Sequence, residues 1–428
     1  MANYINELFD FINKGSSMFL ASKNIQNILD ENGFIELTNS VMKHKITEGG
    51  RYYKIINDSA VFAFKLGWGP LKYKIIGTHL DTPGFRIKFN PVITSGNYIE
   101  LNTEVYGGPI ISTWFDRPLS ISGRVCVKSK DILNPINLLI DPKEPIMVIP
   151  SLAIHQNREV NNGNGVKLSP QKHALPIISY TNEKINKDIL LEFIAKRLQI
   201  EIKDILEVDL FLYPCEEGCV IGLDKKFISS SRLDNLSMTY SALIAFIESD
   251  PESGANVLVC YDNEEVGSNS VGGADSPNFI FTLESIAIAL KKSRIEFLSA
   301  LDESFIISAD VAHLYHPNYP EKSDPTNKVL PGNGPAIKIS ANCSYTTKAN
   351  SAAVFKQICE KAQIPHQTFV NHSDLRGGST IGPIMSTQLG IRSIDIGTPI
   401  LSMHSARELM ATEDFLSTIK AFKAFYQS

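Results

Sequence analysis

Two adjacent glutamates, Glu264 and Glu265, lie in the stretch YDNEEVGS, directly after the apolar run ANVLVC. Like charges side by side at the end of a buried strand repel each other, and their burial is costly unless something pairs with them. A solvated turn would explain an isolated pair of this kind. The rest of the sequence argues against a turn, because other imidazole and carboxylate groups follow apolar runs in the same way.

Residue types that bind metal ions recur at the predicted strand ends. Besides the glutamates, the residues that follow apolar runs are His79, Asp81, Asp234, Asp310 and His404. In an open α/β sheet, ligands bind beyond the carboxyl ends of the strands, so we expect these side chains to converge there. Two imidazoles and several carboxylates make a poor hydrophobic core but a suitable site for divalent metal ions.

The charges of this set favour two metal ions over one. The five candidate ligands are His79, Asp234, Glu265, Asp310 and His404. Their three carboxylates face the four positive charges of two zinc ions, and a bridging hydroxide balances the remainder. If Asp234 bridges with both oxygens, each ion has four nitrogen and oxygen donors, as zinc prefers, although cobalt or manganese could share such a site. Metals about 3.5–4 Å apart can hold a nucleophile and a carbonyl oxygen together.

Two acidic residues are left for other tasks. Glu264, beside the metals but not a ligand, can take a proton from the bridging water and give it to a leaving amine. Asp81, two residues after His79, is placed to accept a hydrogen bond from the second ring nitrogen and fix the tautomer. The sequence therefore predicts a hydrolase in which Glu265 binds metal and Glu264 is the general base.

The predicted elements around these positions follow an α/β order. Strands and helices alternate after residue 225, as in a mixed or parallel sheet with helices on both faces. From about residue 90 to 225, short strand-like runs and turns replace the helices. We therefore expect an α/β domain of residues 1–89 and 226–428 that is interrupted by a β-rich domain of residues 90–225.

Composition narrows the function classes. The 428 residues are 43% hydrophobic and 20% charged, with a formal net charge of −5. This balance is typical of a soluble globular protein and disfavours nucleic acid or an anionic membrane as a partner. Without a recognisable signal peptide or a run of about 18 apolar residues, we expect a cytoplasmic protein. Cys215 and Cys219 form a CxxxC, but no second Cys/His pair completes a metal site.

The ordered motifs resemble those of the aspartyl aminopeptidase and aminopeptidase I family of dizinc peptidases. The matching stretches are GTHLDTPGFRIK, EVYGGPIISTWFDRPL, SRLDNL, YDNEEVGS, SADVAHLYHPNYPEK, GSTIGP and MHSARE. The resemblance implies a zinc-peptidase-like mixed sheet flanked by helices, with an inserted β-rich dimerisation domain. It also implies removal of an acidic or neutral N-terminal residue from short peptides by a homo-oligomer built from dimers, commonly a dodecamer.

The resemblance also implies roles for individual residues. His79 and Asp310 would hold one zinc ion, Glu265 and His404 the other, with Asp234 between them. The glutamate already chosen as general base takes that role in the family as well. These assignments agree with the ligand set that the strand ends suggest.

One histidine of the inserted domain acquires a role only through the resemblance. His155, in PSLAIH, matches a family histidine that reaches the neighbouring subunit's active site and stabilises the oxyanion there. On the sequence alone it is an ordinary loop histidine. His313 and His316, in HLYHPN, are interpreted as residues around the ligands or along a channel.

Substrate contacts are predicted in the last third of the chain. The candidates are Lys338, Tyr345, Ser379 and Thr380, the last two in a loop that resembles the family's loop near the substrate. Lys338 is either a partner for an acidic substrate side chain or a solvated strand-end charge. Arg376 and Gly377 depart from the cysteine and glycine expected in many relatives, which leaves the fine specificity open.

Two alternative functions remain. A dimetal amidase, deacylase or carboxypeptidase-like hydrolase could use the same ligand order, although such enzymes need a cationic clamp for a C-terminal carboxylate. A non-catalytic oligomeric scaffold could retain the fold, but the presence of every candidate ligand disfavours this alternative.

Overall fold

A computed structural model describes residues 2–38, 44–161, 167–184 and 186–428. The described residues form two compact units. The first unit lies within residues 1–81, 218–403 and 408–428, and the second within residues 82–217 and 404–407.

The helices and strands follow in chain order. The helices are α1 (Ala2–Lys14), α2 (Met18–Glu31), α3 (Pro170–His173), α4 (Ile189–Leu198), α5 (Leu233–Ile247), α6 (Asn278–Ala289), α7 (Arg294–Asp302), α8 (Ala349–Lys361), α9 (Ile381–Leu389) and α10 (Thr412–Tyr426). The strands are β1 (Ile35–Glu36), β2 (Arg51–Ile56), β3 (Ala60–Leu66), β4 (Trp68–His79), β5 (Gly84–Ser95), β6 (Tyr98–Tyr106), β7 (Leu119–Val127), β8 (Ile136–Ile140), β9 (Ile177–Tyr180), β10 (Ile205–Pro214), β11 (Cys219–Ile221), β12 (Phe227–Ser230), β13 (Ser253–Tyr261), β14 (Phe305–Ala309), β15 (Ala312–His313), β16 (Ala336–Lys338), β17 (Gln367–Phe369), β18 (Arg392–Gly397), β19 (Pro399–Leu401) and β20 (Glu408–Ala411).

The first unit is built on a nine-stranded mixed sheet in the order β1-β2-β3-β13-β4-β14-β18-β16-β17. Its central strands β13, β4, β14 and β18 run parallel to one another, whereas β3 is antiparallel to β13 and β16 is antiparallel to β18. Central strands rich in Ile and Val, such as the end of β4, suit a sheet covered on both faces. Parallel order brings the carboxyl ends of these strands to one edge.

Helices cover the two faces of this sheet. Because strand side chains alternate, Ile75 and Val257 share one apolar cluster with Leu283 of α6 and Met385 of α9. The neighbouring residues on these strands face the other way, where α5 contacts β4 and β13, and α10 packs on α5. The predicted α/β class with a mixed sheet between helices is confirmed.

Local signals explain where two helices of the first unit begin. In α7, the Ser293 side chain accepts the backbone N–H of Glu296, and the Glu296 carboxylate accepts the N–H of Ser293, as in a capping box. Thr380 caps α9 by accepting the N–H of Gly382, and Gly390 ends that helix at a φ of 67°. These caps fix the loops that enter the helices.

A smaller five-stranded sheet, in the order β11-β12-β20-β19-β15, completes the first unit. β15 follows Asp310 by two residues and pairs with β19 in parallel, while β19 and β20 are antiparallel. This sheet therefore continues the chain directly after the predicted metal ligand at the end of β14.

The second unit contains a six-stranded sheet in the order β8-β7-β10-β5-β6-β9, with antiparallel pairing throughout. Its core includes Phe85, Trp114, Leu210 and Ile194 of α4. The sequence predicts domain borders at 89/90 and 225/226, whereas the chain passes from one unit to the other at 81/82 and 217/218. The difference arises because β5 of this unit already begins at Gly84, inside the motif GTHLDTPGFRIK.

Among the residues that the structure describes, none of the helices combines the length and the hydropathy that a membrane crossing requires.

Candidate active site

Strand ends of the large sheet bring the predicted residues of the first unit together. His79 is the last residue of β4 and pairs in register with Tyr261 at the end of β13. Glu264 and Glu265 form a short 3-10 turn three residues after β13, and Asp310 directly follows β14. Since these strands are parallel neighbours, their polar side chains meet at one sheet edge.

The His79 ring is buried and held from one side by Asp81. Its Nδ1 lies 3.1 Å from the main-chain oxygen of Asp81 and 3.4 Å from that residue's Oδ1. The Nε2 atom lies 3.6 Å from Oδ1 of Asp234 and 3.8 Å from Oδ1 of Asp310. Asp81 thus contacts the ring nitrogen opposite the proposed metal side, as the tautomer hypothesis requires.

The distances around Nε2 fit a shared cation. Two atoms that each lie about 2.05 Å from a tetrahedral zinc ion are about 3.3 Å apart. The observed 3.6 and 3.8 Å exceed an ordinary N–H···O hydrogen bond and are close to that separation. Ligand atoms of His79, Asp234 and Asp310 all lie within 4.8 Å of one another, as do those of His79, Glu264 and Glu265. The donor set therefore fits a divalent metal ion.

Charge interactions at this edge are strong. Burial alone would lower the pKa of His79, but the carboxylates of Asp310 and Asp81 outweigh burial and raise that pKa well above its usual range. Burial would likewise raise the pKa of Asp310, but Lys338 and His79 hold it well below its usual range. A proton on His79 therefore competes with a metal ion for the same carboxylate environment.

The turn that carries the two glutamates is fixed by Asp81. Its Oδ1 accepts the backbone N–H of Glu264 at 3.1 Å, and its Oδ2 accepts that of Glu265 at 3.0 Å. Asp81 is fully buried. The sequence predicted only its contact with His79; the structure shows that it also orients the backbone of the predicted base and of its ligand neighbour.

Glu264 has the electrostatic environment of a proton carrier. Burial raises the pKa of Glu264 to about 8, the positive charge on His79 opposes the shift, and the carboxylates of Asp310 and Asp81 reinforce it. A carboxyl group with a pKa near neutrality can both accept and release a proton during a reaction.

Asp234 is buried at the start of α5, within its first turn. Its backbone N–H donates to Oε2 of Glu408 at 3.0 Å, and the peptide bond to Asn235 is cis. Asn235 donates from Nδ2 to the main-chain oxygen of Ala309, at the end of β14, at 2.9 Å. Glu408 was not singled out from the sequence, although it closes the quoted motif MHSARE.

Lys338 is a buried residue of this site, not a solvated strand-end charge. Its Nζ donates to Oδ2 of Asp310 at 3.2 Å and to the main-chain oxygen of Val311 at 3.0 Å, and it lies 5.1 Å from the centre of the Tyr345 ring. It pairs in register with Asp395 on β18. Lys338 adds a positive charge to those of the two metal ions expected here, and its role towards substrate stays a prediction.

The loops that hold the other predicted substrate contacts meet on Asp395. This buried carboxylate accepts the backbone N–H of Thr346 at 2.6 Å and the hydroxyl of Thr380 at 2.7 Å. Tyr345 precedes Thr346, and the exposed Ser379 precedes Thr380. Thr380 is therefore occupied by capping α9 and by binding Asp395, while Ser379 is the residue of the pair that faces solvent.

The remaining predicted residues lie in the second unit or outside the metal groups. His155 is exposed in a 3-10 turn, Ile154–Gln156. His404 belongs to the segment that groups with the second unit, and its Nδ1 lies 3.0 Å from the main-chain oxygen of Gly108. The roles of both histidines stay predictions. In the described ranges, the candidate metal groups do not include His313, His316 or a cysteine.

Comparison with known proteins agrees with the fold and the donor set. The family model for aminopeptidase I zinc metalloproteases (M18) matches residues 11–426. A probable M18 family aminopeptidase 2 of Clostridium novyi is 51% identical over 428 residues, covering 99% of this chain and 98% of that protein. Its counterpart in Clostridium acetobutylicum is 48% identical with the same coverage.

Solved structures show the same architecture. A chain of the solved Ape4 and Nbr1 complex superposes with a TM-score of 0.94 at 32% identity, covering 99% of this chain and 85% of that one. The S. cerevisiae mApe1 dodecamer gives 0.85 at 26% identity, covering 99% and 96%. Fold and site thus define a zinc metallopeptidase, a hydrolase that acts on peptide bonds.

The particular group within that class follows from the match across nearly the whole chain. The chain belongs to the M18 family of zinc aminopeptidases.

Proposed function

We propose that this M18 aminopeptidase is a dizinc enzyme that removes an acidic or neutral N-terminal residue from short peptides, with Glu264 as general base. The observation that carries the proposal is the meeting of His79, Asp234 and Asp310 beside a half-buried Glu264. Asp81 supports it, because this one carboxylate orients the ring of His79 and the backbone of the glutamate turn.

The ligand roles follow the sequence assignment. His79 and Asp310 would hold one zinc ion, Glu265 and His404 the other, and Asp234 would be shared. Zinc held by these residues would supply Lewis-acid chemistry, polarising a carbonyl and lowering the pKa of a water molecule, and cobalt or manganese could supply the same chemistry. Lys338 keeps Asp310 ionised and oriented through its 3.2 Å contact.

Proton movement belongs to Glu264. Its carboxylate takes a proton from the attacking water and delivers that proton to the nitrogen of the departing amine, so that the catalyst returns to its starting state. The backbone contact with Asp81 keeps the side chain in place for both transfers. His155 of a neighbouring subunit is proposed to donate a hydrogen bond to the oxyanion.

Assembly and location complete the proposal. We infer a homo-oligomer built from dimers, with a dodecamer as the expected size, supported by the dodecameric mApe1 relative. The expected location is the cytoplasm. The substrates are short peptides, for which Lys338, Tyr345, Ser379 and Thr380 are the candidate contacts.

The test separates the base from the ligands. The Glu264→Gln variant should lose turnover while its zinc content, measured by plasma mass spectrometry, stays at the wild-type level. Zinc lost together with activity would assign Glu264 to the ligand set. A panel of Asp, Glu, Leu and Met aminoacyl chromogens, run with defined added metals, then establishes the N-terminal preference. Faster cleavage of N-terminally blocked peptides would favour the amidase alternative.

A further inference from the structure

A cavity of about 410 Å³ lies in the first unit, beside the segment that follows the metal ligand at the end of β14. The polar side chains that line it include His313, His316, Lys322, Asn371, His372 and Arg376. None of the proposed metal ligands lines it, and neither does Lys338 or Tyr345. The cavity therefore adjoins the contacts proposed for the N-terminal residue of a substrate without including them, since Phe369 of its lining packs on Tyr345 and Gly378 precedes Ser379.

Two of its histidines are fixed as hydrogen-bond donors. The Nδ1 atom of His316 accepts the backbone N–H of Asn318 at 3.2 Å, and that of His372 accepts the backbone N–H of Asp374 at 3.2 Å. A neutral imidazole that accepts at Nδ1 carries its hydrogen on Nε2. Both rings therefore offer an N–H donor, which suits an anionic ligand.

The lining carries two cationic side chains and one carboxylate. In the part of the chain that the structure describes, neither Lys322 nor Arg376 lies within ion-pair distance of a carboxylate. The one carboxylate among the described lining residues, Asp324, accepts hydrogen bonds from Thr326 and Asn327 on a single oxygen, from 2.8 to 3.1 Å. The cavity thus combines two permanent cations with ring and amide donors.

The cavity is within reach of a peptide held at the metal site. His313 follows Asp310 by three residues, and three residues of extended chain span at most about 10 Å. A bound peptide covers a comparable length from its first residue to its third or fourth. A side chain or terminus downstream of the scissile bond is therefore within this range.

We propose that this cavity is a subsite for a carboxylate located downstream of the scissile bond, with Arg376 as its main charged contact. The proposal rests on the aminopeptidase function proposed above. The carboxylate belongs either to an acidic side chain at the second or third position or to the C-terminus of a short peptide.

Matched peptides test the subsite on the full-length assembled enzyme. The reference is a neutral peptide that carries the preferred N-terminal residue and a C-terminal amide. It is compared with three peptides: one has Asp at position two, one has Asp at position three, and one has a free C-terminal acid. At least one carboxylate peptide should show a kcat/KM about tenfold higher than the neutral amide, as expected for one charge-assisted contact. The peptide whose kcat/KM exceeds that of the neutral amide identifies the source of the carboxylate.

Variants connect the preference to the cavity. Arg376→Gln should make kcat/KM equal for carboxylate and amide peptides, whereas Arg376→Lys should retain part of the difference. Arg392→Gln removes the same charge from an exposed position at the start of β18 and should keep the wild-type ratio. Equal kcat/KM for all wild-type peptides, or a ratio that survives Arg376→Gln, would overturn the subsite. Failure to cleave even the neutral amide would instead refute the proposed function.

Discussion

Replacing Asp81 by asparagine tests how strongly one buried carboxylate organises the site. The aspartate has two oxygens, one for the backbone N–H of Glu264 and one for that of Glu265, at 3.1 and 3.0 Å. Asparagine retains one oxygen and places an NH₂ group where the other was. One of the two backbone donors then loses its acceptor and faces another donor.

The size of the effect follows from this loss. A hydrogen bond to a charged acceptor contributes about 1.5–3 kcal/mol, and a buried donor left without a partner is penalised by a similar amount. At about 1.4 kcal/mol per factor of ten, the loss of one such bond corresponds to roughly 10- to 150-fold. This range overlaps the roughly 10- to 100-fold effects that follow when residues behind metal ligands are mutated.

The assay measures kcat/KM and zinc affinity for Asp81→Asn, Asp81→Ala and a control, Asp302→Asn. Asp81→Asn should lower kcat/KM and zinc affinity by roughly 10- to 150-fold. Asp81→Ala should lower both quantities further, because it removes both acceptors. Asp302 is exposed at the end of α7, so its variant should match the wild type. If Asp81→Asn stays within about twofold of the wild type in both quantities, the assigned role of Asp81 is wrong.

Two further predictions concern buried carboxylates outside the metal groups. Asp395→Asn weakens the support of the loops at Thr346 and Thr380, so KM should rise about tenfold while zinc content is unchanged, and an unchanged KM would contradict this role. Burial raises the pKa of Asp414 to about 6, against two opposing hydrogen bonds from glycine amides. Because this folded-state pKa exceeds the unfolded value, its stability contribution is present below about pH 4 and is lost as pH rises through about 6. In Asp414→Asn this titration is absent, although its NH₂ group faces one of the two glycine amides. The free energy of unfolding of the wild type should therefore fall relative to that of the variant by up to about 3 kcal/mol as pH rises from about 4 to about 7, and a difference in melting temperature that does not vary with pH would contradict this.

Much of the site in the first unit could be predicted from local sequence. His79, Glu264 and Asp310 each follow an apolar strand, and parallel strands end at a common edge whatever their order in the sheet. The residue types at those ends then determine the chemistry. This reasoning needs only the periodicity of each strand, which a single sequence contains.

Other contacts depend on pairing between distant segments. The bond between Asp81 and the glutamate turn joins residues 183 positions apart. Lys338 meets Asp310 because β16 pairs with β18, and Asp395 joins the same network through that antiparallel register. Strand order and register are set by the packing of the whole sheet, so the buried position of Lys338 could not be distinguished from a solvated one by its local sequence.

The domain borders illustrate the same difference. A single motif, GTHLDTPGFRIK, contains the end of β4 in the first unit and the first residues of β5 in the second. Composition changes only further along the chain, so a prediction from composition places the border late. Contacts between strands, not residue content, define where the units divide.

The central claim is that two cations share this site while Glu264 remains outside their ligand sets. Anomalous scattering from crystals of zinc-loaded Glu264→Gln enzyme tests it most directly. Two zinc peaks are expected in each chain, one bound by His79, Asp310 and Asp234, and a second one bound by Glu265 and His404. A single peak, or a ligand shell that includes residue 264, would contradict it.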